Sequence, residues 1–431
     1  MKYFMKHPQS AVILLSMVVL LLSACAQAVT PTIPQPTRPA TVLPPTATQT
    51  VQSNQTSNAT EIADSATPTA SPTPSYPAAG RGPANFAAEV NPLTGLQLEN
   101  PGLLNRRPIV IKVENIPREH RPQWGLSLAD LVYEYYTEFG ATRFSAVFYG
   151  QDAEQVGPIR SGRFFDSNIV QMYKGVLVYG SAYPDVNNRF FRSDFANRLI
   201  LETGNSCPGL CRYDPNGQNL LVADTVSLQP YLQTRGVDNT RQNLDGMFFQ
   251  AAVPPSGDEA AQLFVRYSGA IYNRWDYDAA SERYLRFSDA ENDVNRQKEV
   301  YNQLTDRLTN QPIATDNVVM LCVPHSYYVK REDAEVLDII MDASRVASYV
   351  ACDGETYKGN AGPAYIARNG SLYKTTWQRA TTTSVLTLVN PDGSLFPFKP
   401  GQTWFEVLGA SSRVEQQGTA WRFNYIMGAG Q

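Results

Sequence analysis

The sequence predicts a mixed α/β and α+β protein: a two-domain globular head carried on a disordered tether. Three observations lead there. Residues 107–180 alternate apolar strand-like runs with one helix-like run, the order that builds an α/β layer. Residues 263–408 hold short apolar runs separated by glycines, which reads as a β-richer unit. Before both lies a long stretch dominated by Pro, Thr, Ser, Ala and Gln.

The first 25 residues have the layout of an export signal. Met1 to His7 is short and basic, Ala11 to Leu22 is apolar, and Leu22-Ser23-Ala24-Cys25 follows. The apolar run is too short to span a bilayer as a comfortable helix. Small residues directly before a cysteine resemble the bacterial lipoprotein cleavage motif, in which Cys25 becomes the lipidated first residue. Ala26 rather than Asp follows it, so no inner-membrane retention signal is read. The expected partner is the lipid bilayer, and the expected location is the extracytoplasmic face of the bacterial cell membrane.

Residues 26–84 contain one aromatic residue, Tyr76, and few charges. Such a composition buries too little apolar surface to offset ordering entropy and is expected to stay disordered. A flexible coil of this length spans roughly 45 Å. The head divides into an N-terminal domain, 85–255, and a C-terminal domain, 256–431, at the Val253-Pro254-Pro255-Ser256-Gly257 break. The formal net charge is -4 and no basic stripe is present, which argues against nucleic-acid binding.

Within the first domain, Arg107 to Asn115 reads as a buried strand. Leu131 to Phe139 and Arg143 to Tyr149 read as a hairpin turning at Gly140. Phe165, Ile169 and Met172 have helical spacing, and Gly175 to Gly180 reads as another buried strand. A short helix is expected within Asp185–Leu201. In the second domain, strands are expected at 263–267, 283–287, 318–323, 364–367, 385–389 and 403–408, and a helix over Asp293–Leu308.

Besides Cys25 the chain has Cys207, Cys211, Cys322 and Cys352. An even set outside the cytoplasm suggests two disulfides: the local pair Cys207–Cys211 and the longer-range pair Cys322–Cys352. Zinc is a poor fit, because four ligands are needed and the whole chain has 3 His. No metal or cofactor is expected. Asp214 to Asn219 alternates oxygen donors like a calcium loop but lacks the following bidentate Glu; an Asx-type turn is the expected reading.

Asn91-Pro92-Leu93-Thr94-Gly95-Leu96, Arg106-Arg107-Pro108, Asn115, the run Arg121 to Glu134, Thr142-Arg143-Phe144 and the run Gly157 to Arg163 together resemble the YerB-like lipoproteins. Asn317-Val318-Val319, Trp377 and Lys399 to Trp404 resemble the second domain of the same family. The resemblance covers most of residues 90 to 410 and departs around Cys207 to Asn219. It implies an envelope location and two-domain architecture, with no established activity.

The residues singled out for ligand binding are Asn115, Arg143, Arg160, Ser161 and Arg163. They border predicted strand ends, where α/β sheets place their sites. Arg160-Ser161-Gly162-Arg163 leads into a predicted helix, a setting suited to a carboxylate or phosphate. The competing reading is a set of cross-strand ion pairs that only holds the fold, with Glu134 and Arg143 pairing with the other Arg residues. Asp130 and Glu134 are the candidate acid/base groups of a glycan- or peptidoglycan-acting enzyme. Glu134 and Glu138 do not suit a glycosidase pair, since four strand residues span about 13 Å against the roughly 5 to 9.5 Å that hydrolysis needs. No Gly-x-Ser-x-Gly, His-Glu-x-x-His, P-loop or dinucleotide fingerprint occurs. The expected function is therefore a non-enzymatic binding or scaffold protein of the envelope, its partner a cell-wall polymer or an envelope protein.

Overall fold

The computed structural model describes residues 76–203, 206–214 and 218–428. The signal segment, Cys25 and the tether up to residue 75 lie outside the described residues, as do three residues of the proposed Asx-type turn, 215–217.

The first half forms β1 (Ile109–Glu114), β2 (Leu131–Tyr136), β3 (Thr142–Phe148), α1 (Asp166–Tyr173), β4 (Val176–Val178), α2 (Pro184–Phe191), β5 (Leu199–Ile200) and α3 (Thr225–Thr234). The second half adds β6 (Gln262–Arg266), β7 (Tyr272–Asp278), β8 (Arg283–Asp289), β9 (Tyr301–Gln303), β10 (Asn317–Val323), β11 (His325–Lys330) and β12 (Glu335–Ile339). It ends with β13 (Ala361–Arg368), β14 (Ser371–Gln378), β15 (Thr387–Val389), β16 (Thr403–Gly409), β17 (Arg413–Gln417) and β18 (Ala420–Asn424).

The main path of an 11-stranded sheet runs β15-β14-β13-β10-β16-β2-β3-β1-β4-β5. Strand alternation gives this sheet two apolar faces. Tyr133 and Tyr135 of β2 and Phe405 and Val407 of β16 pack with Ile169, Met172, Val186 and Phe190 of α1 and α2. Val132, Phe144, Trp404 and Leu408 point the other way and pack with Leu263, Trp275, Tyr284, Trp421 and Phe423 of a second sheet, ordered β9-β8-β7-β6-β18-β17. Helices, central sheet and second sheet thus form three layers over these two cores.

The change of pattern near residue 255 does not separate two sheets. β2 from the first half pairs in parallel with β16 from the second, with Glu134 opposite Glu406, and Ser71–Gln431 clusters as one compact unit. Without that pairing, β2 and β16 would each present an unsatisfied edge of backbone donors and acceptors.

Two sequence expectations change. The last residues of the expected tether are part of the head: Arg81 and Phe249 exchange backbone hydrogen bonds of 2.8 and 2.9 Å, and Tyr76 donates to the Gly95 carbonyl. The Asp293–Leu308 segment is not a helix. Its Leu304 is buried behind β9, its Val294 is 75 % exposed, and the Asp293 carboxylate accepts from the backbone of Gln297 and Lys298. A four-residue apolar spacing is met here by an edge strand and a turn.

Both cysteine pairs form disulfides, with Cα–Cα separations of 5.0 Å for Cys207–Cys211 and 6.1 Å for Cys322–Cys352. Trp124, Trp275, Trp377 and Trp404 are all buried in the cores.

Candidate functional site

The basic segment Arg160–Arg163 begins beside the end of β1, where Arg160 N donates to the Lys112 carbonyl at 3.0 Å, and leads into α1. Each of its guanidiniums meets a carboxylate. Arg160 donates through Nε to Glu114 Oε1 at 2.5 Å, and the other oxygen of Glu114 faces His120 Nδ1 at 2.8 Å. Arg163 grips Glu138 with Nε and Nη2, the Nε bond being 2.7 Å. Arg143 reaches the same Glu138 at 3.8 Å. Burial works to raise the Glu138 pKa, but the two guanidiniums outweigh it and hold the carboxyl below its usual range. Arg121 spans Asn115 and Asp289, and Ser161 shares a 2.8 Å hydrogen bond with Ser181.

Arg143 therefore pairs with Glu138, while Glu134 pairs with Arg286. In the β2–β3 register Phe144 stands opposite Glu134, so Arg143 leaves the other face of the sheet. The N-terminus of α1 is also occupied: the Asp166 carboxylate accepts from Arg163 N at 2.7 Å.

The two candidate acid/base residues lie beneath the surface. Asp130 is fully occupied by Asn91 Nδ2 at 2.7 Å and by the backbone N–H groups of Tyr149 and Gly150 at 2.6 and 2.9 Å. Burial pushes its pKa up to about 6 against these hydrogen bonds. It ties the end of β3 to the 91–96 turn. Glu134 accepts from Asn115 and Thr142 on one oxygen and from Arg286 at 2.5 Å on the other. A buried carboxylate held by three donors cannot reach a polymer, so neither residue serves as acid or base in this arrangement. Asn115 likewise acts as a positioning group for Glu134 rather than as a surface ligand.

What the sequence reading missed are two buried charge networks, one on each face of the central sheet. Under the second sheet, Arg286 of β8 reaches both Glu134 and Glu406 Oε1, the latter at 3.1 Å. Trp275 Nε1 and Tyr267 OH donate to Glu406 at 3.0 Å each, and the Arg286 guanidinium lies 4.5 Å from the Trp404 ring centre. Under the helices, Lys112 of β1 sits 3.3 Å from Asp166 and 3.8 Å from the Tyr135 ring centre. Desolvation lowers the Lys112 pKa to about 7 despite the Asp166 charge. The available signal was a charge flanked by apolar residues: Lys112 between Ile111 and Val113, Arg286 between Leu285 and Phe287, and Glu406 between Phe405 and Val407. Their partners are too far along the chain for spacing to identify.

Burial, reinforced by the neighbouring Glu134 charge, pushes Glu406 up to about 7 from 4.5. Below the unfolded value both states hold this proton. Between 4.5 and 7 the unfolded chain releases it and the folded chain keeps it, so stability falls as pH rises through that window. Glu406→Gln is expected to flatten the curve there by on the order of 1–3 kcal/mol, read as the difference between urea-denaturation series of variant and wild type. Taking the difference matters because His325, lowered to about 4 by burial, contributes the opposite slope between 4 and 6.5. Equal slopes in the two proteins would refute the assignment.

Among the described residues, no three His, Cys, Asp or Glu side chains are grouped to hold a metal ion. The site at the sheet end can present partly exposed guanidiniums, with the Arg160 side chain 42 % exposed, on a frame fixed by buried Glu114 and partly buried Glu138.

Two family models match the chain: the N-terminal domain of a protein of unknown function, DUF3048, over residues 93–206, and its C-terminal domain over 263–405. The chain is 26 % identical over 333 residues to a protein of Bacillus subtilis named "Putative lipoprotein YerB", covering 74 % of this chain and 85 % of that one. The crystal structure of the YerB protein from Bacillus subtilis superposes with a TM-score of 0.58 at 24 % identity, covering 74 % of this chain and 96 % of that chain. The strands that build the continuous sheet and both buried networks lie in or beside these two matched segments, and the chain belongs to the YerB-like DUF3048 family, whose function is unknown.

Proposed function

We propose that this protein is a lipoprotein held on the extracytoplasmic face of the cell membrane through lipidated Cys25, its head a non-enzymatic binding or scaffold protein of the envelope. The sequence motif at Leu22–Cys25 and the printed name of the Bacillus subtilis relative support the anchor. No helix among the described residues is long and apolar enough to cross a membrane.

One observation carries the binding reading. The surface residues singled out at the sheet end are clamped by Glu114 and Glu138, while the carboxyls that could do acid/base chemistry are sealed in the interior. Fixed, partly exposed guanidiniums recognise anionic groups without needing to move.

Two experiments test the parts separately. Cys25→Ser is expected to abolish incorporation of labelled palmitate and to release the protein from the membrane fraction; a variant that stays in membranes would refute the anchor. The full chain in detergent is expected to pellet with isolated cell wall, and Arg160→Ala/Arg163→Ala to lose most of that pelleting. No pelleting of wild type would refute the wall-binding reading and leave protein partners as the object of search.

A further inference from the structure

A cleft of about 460 Å³ opens between α2 and the β11–β12 hairpin, beginning one residue after Arg163. Its floor is rigid. Phe164 is buried, the Arg189 guanidinium lies 3.7 Å from its ring centre, and Tyr328 meets it edge-on at 4.8 Å. Arg189 is further held by Asp338 at 2.7 Å, and Asp338 by Arg345. The Gly162–Ala182 bridge fastens the start of α2 to the Arg160–Arg163 segment.

Tyr328 is 48 % exposed although its ring is fixed. Asp185, Asn188 and Arg192 follow one another along one side of α2, over about 10 Å. Among the described residues, neither Asp185 nor Arg192 has an oppositely charged side chain within 4.0 Å. The cleft thus offers, in a row, a carboxylate acceptor, an amide and a guanidinium beside a flat aromatic face.

We propose that this cleft binds an anionic glycan, with a sugar ring against Tyr328, ring hydroxyls on Asp185 and Asn188, and a carboxylate or phosphate on Arg192. The lining argues for that class by elimination. A lipid site would be mainly apolar. A polyanion such as nucleic acid would need many free cations, whereas here one free guanidinium shares the cleft with a carboxylate. A sugar needs both acceptors and donors, and an aromatic ring covers its C–H face. The inference rests on the wall-binding reading above and extends its surface: the Arg160–Arg163 segment runs directly into Phe164 at the floor of the cleft, so one polymer can meet those guanidiniums and also Tyr328 and α2.

The test is co-sedimentation of the full chain in detergent with isolated wall, untreated or stripped of phosphodiester-linked polymers by hydrofluoric acid. Tyr328→Ala and Arg192→Gln are each expected to weaken pelleting at least about tenfold while the folded head is kept, read as an unchanged circular-dichroism spectrum. Tyr328→Phe, which keeps the ring, is expected to pellet like wild type. Binding kept on stripped wall assigns a carboxylated glycan, and binding lost on stripping assigns a phosphate-bearing one; either supports the proposal. If wild type pellets and Tyr328→Ala and Arg192→Gln pellet equally well, this cleft is refuted while wall binding stands. If wild type does not pellet, both fall together.

Discussion

Arg286→Met is expected to destabilise the head by 3–5 kcal/mol or more (the range for breaking a buried ion pair by removing one partner), enough to unfold many domains of ordinary stability. The guanidinium lies between Glu134 and Glu406, both fully buried and adjacent in the β2–β16 register. Removing it leaves two carboxyls facing each other in the apolar interior. The methionine fills the volume, so the loss comes from electrostatics and not from a cavity. Adding Glu134→Gln and Glu406→Gln to Arg286→Met is expected to recover at least half of the lost stability, because neutral amides keep the hydrogen bonds to Asn115, Thr142 and Tyr267 without the charge. Urea denaturation followed by circular dichroism measures both steps. A single variant within 1 kcal/mol of wild type would mean that these carboxyls are not sealed from water.

The second large effect concerns Cys322 and Cys352. Their disulfide closes a loop with a sequence separation of 30, which contains the β11–β12 hairpin that walls the α2 cleft. Chain-entropy arithmetic for such a loop gives roughly 3–4 kcal/mol of stabilisation. Cys322→Ala/Cys352→Ala is therefore expected to melt well below wild type, and in reductant, which opens both bridges, wild type and variant are expected to melt together. The Cys207–Cys211 loop has a separation of 4 and is expected to contribute less. Coincident melting of oxidised and reduced wild type would remove the bridge from the account. The carbonyl of Cys322 also accepts from Trp377 Nε1 at 3.0 Å, a bond that the double alanine variant retains.

The strands of the central sheet were legible because their signal is local. Ile109–Val113, Leu131–Tyr136 and Val318–Val323 announce themselves as apolar runs, and α1 by its helical spacing. The failures share one cause. At Asp293–Leu308 the apolar positions fit a helix, yet the position of the segment at the edge of β8 made a strand of part of it. Glu134 looked like a surface acid because its partner Arg286 stands 152 residues away, and no spacing rule reaches that far. The same distance hid Glu406. Arg160, Ser161 and Arg163 stand together because they are neighbours in the chain, whereas the rim beside them was invisible, since Tyr328 joins Arg192 only after the hairpin folds back on the helices.

The parallel pairing of β2 with β16 also sets an order of events for making the molecule. Two central strands are separated by most of the head in sequence, so the sheet has high contact order, and such topologies fold slowly because long loops must close before the pairing rewards them. A chain emerging N-terminus first exposes the edge of β2 until residues 403–409 have followed. For all that interval the apolar faces of β1, β2 and β3 lack half of their covering. The head is thus a structure that only a finished chain can complete, and its first half, although matched by a family domain of its own, carries an open sheet edge until then.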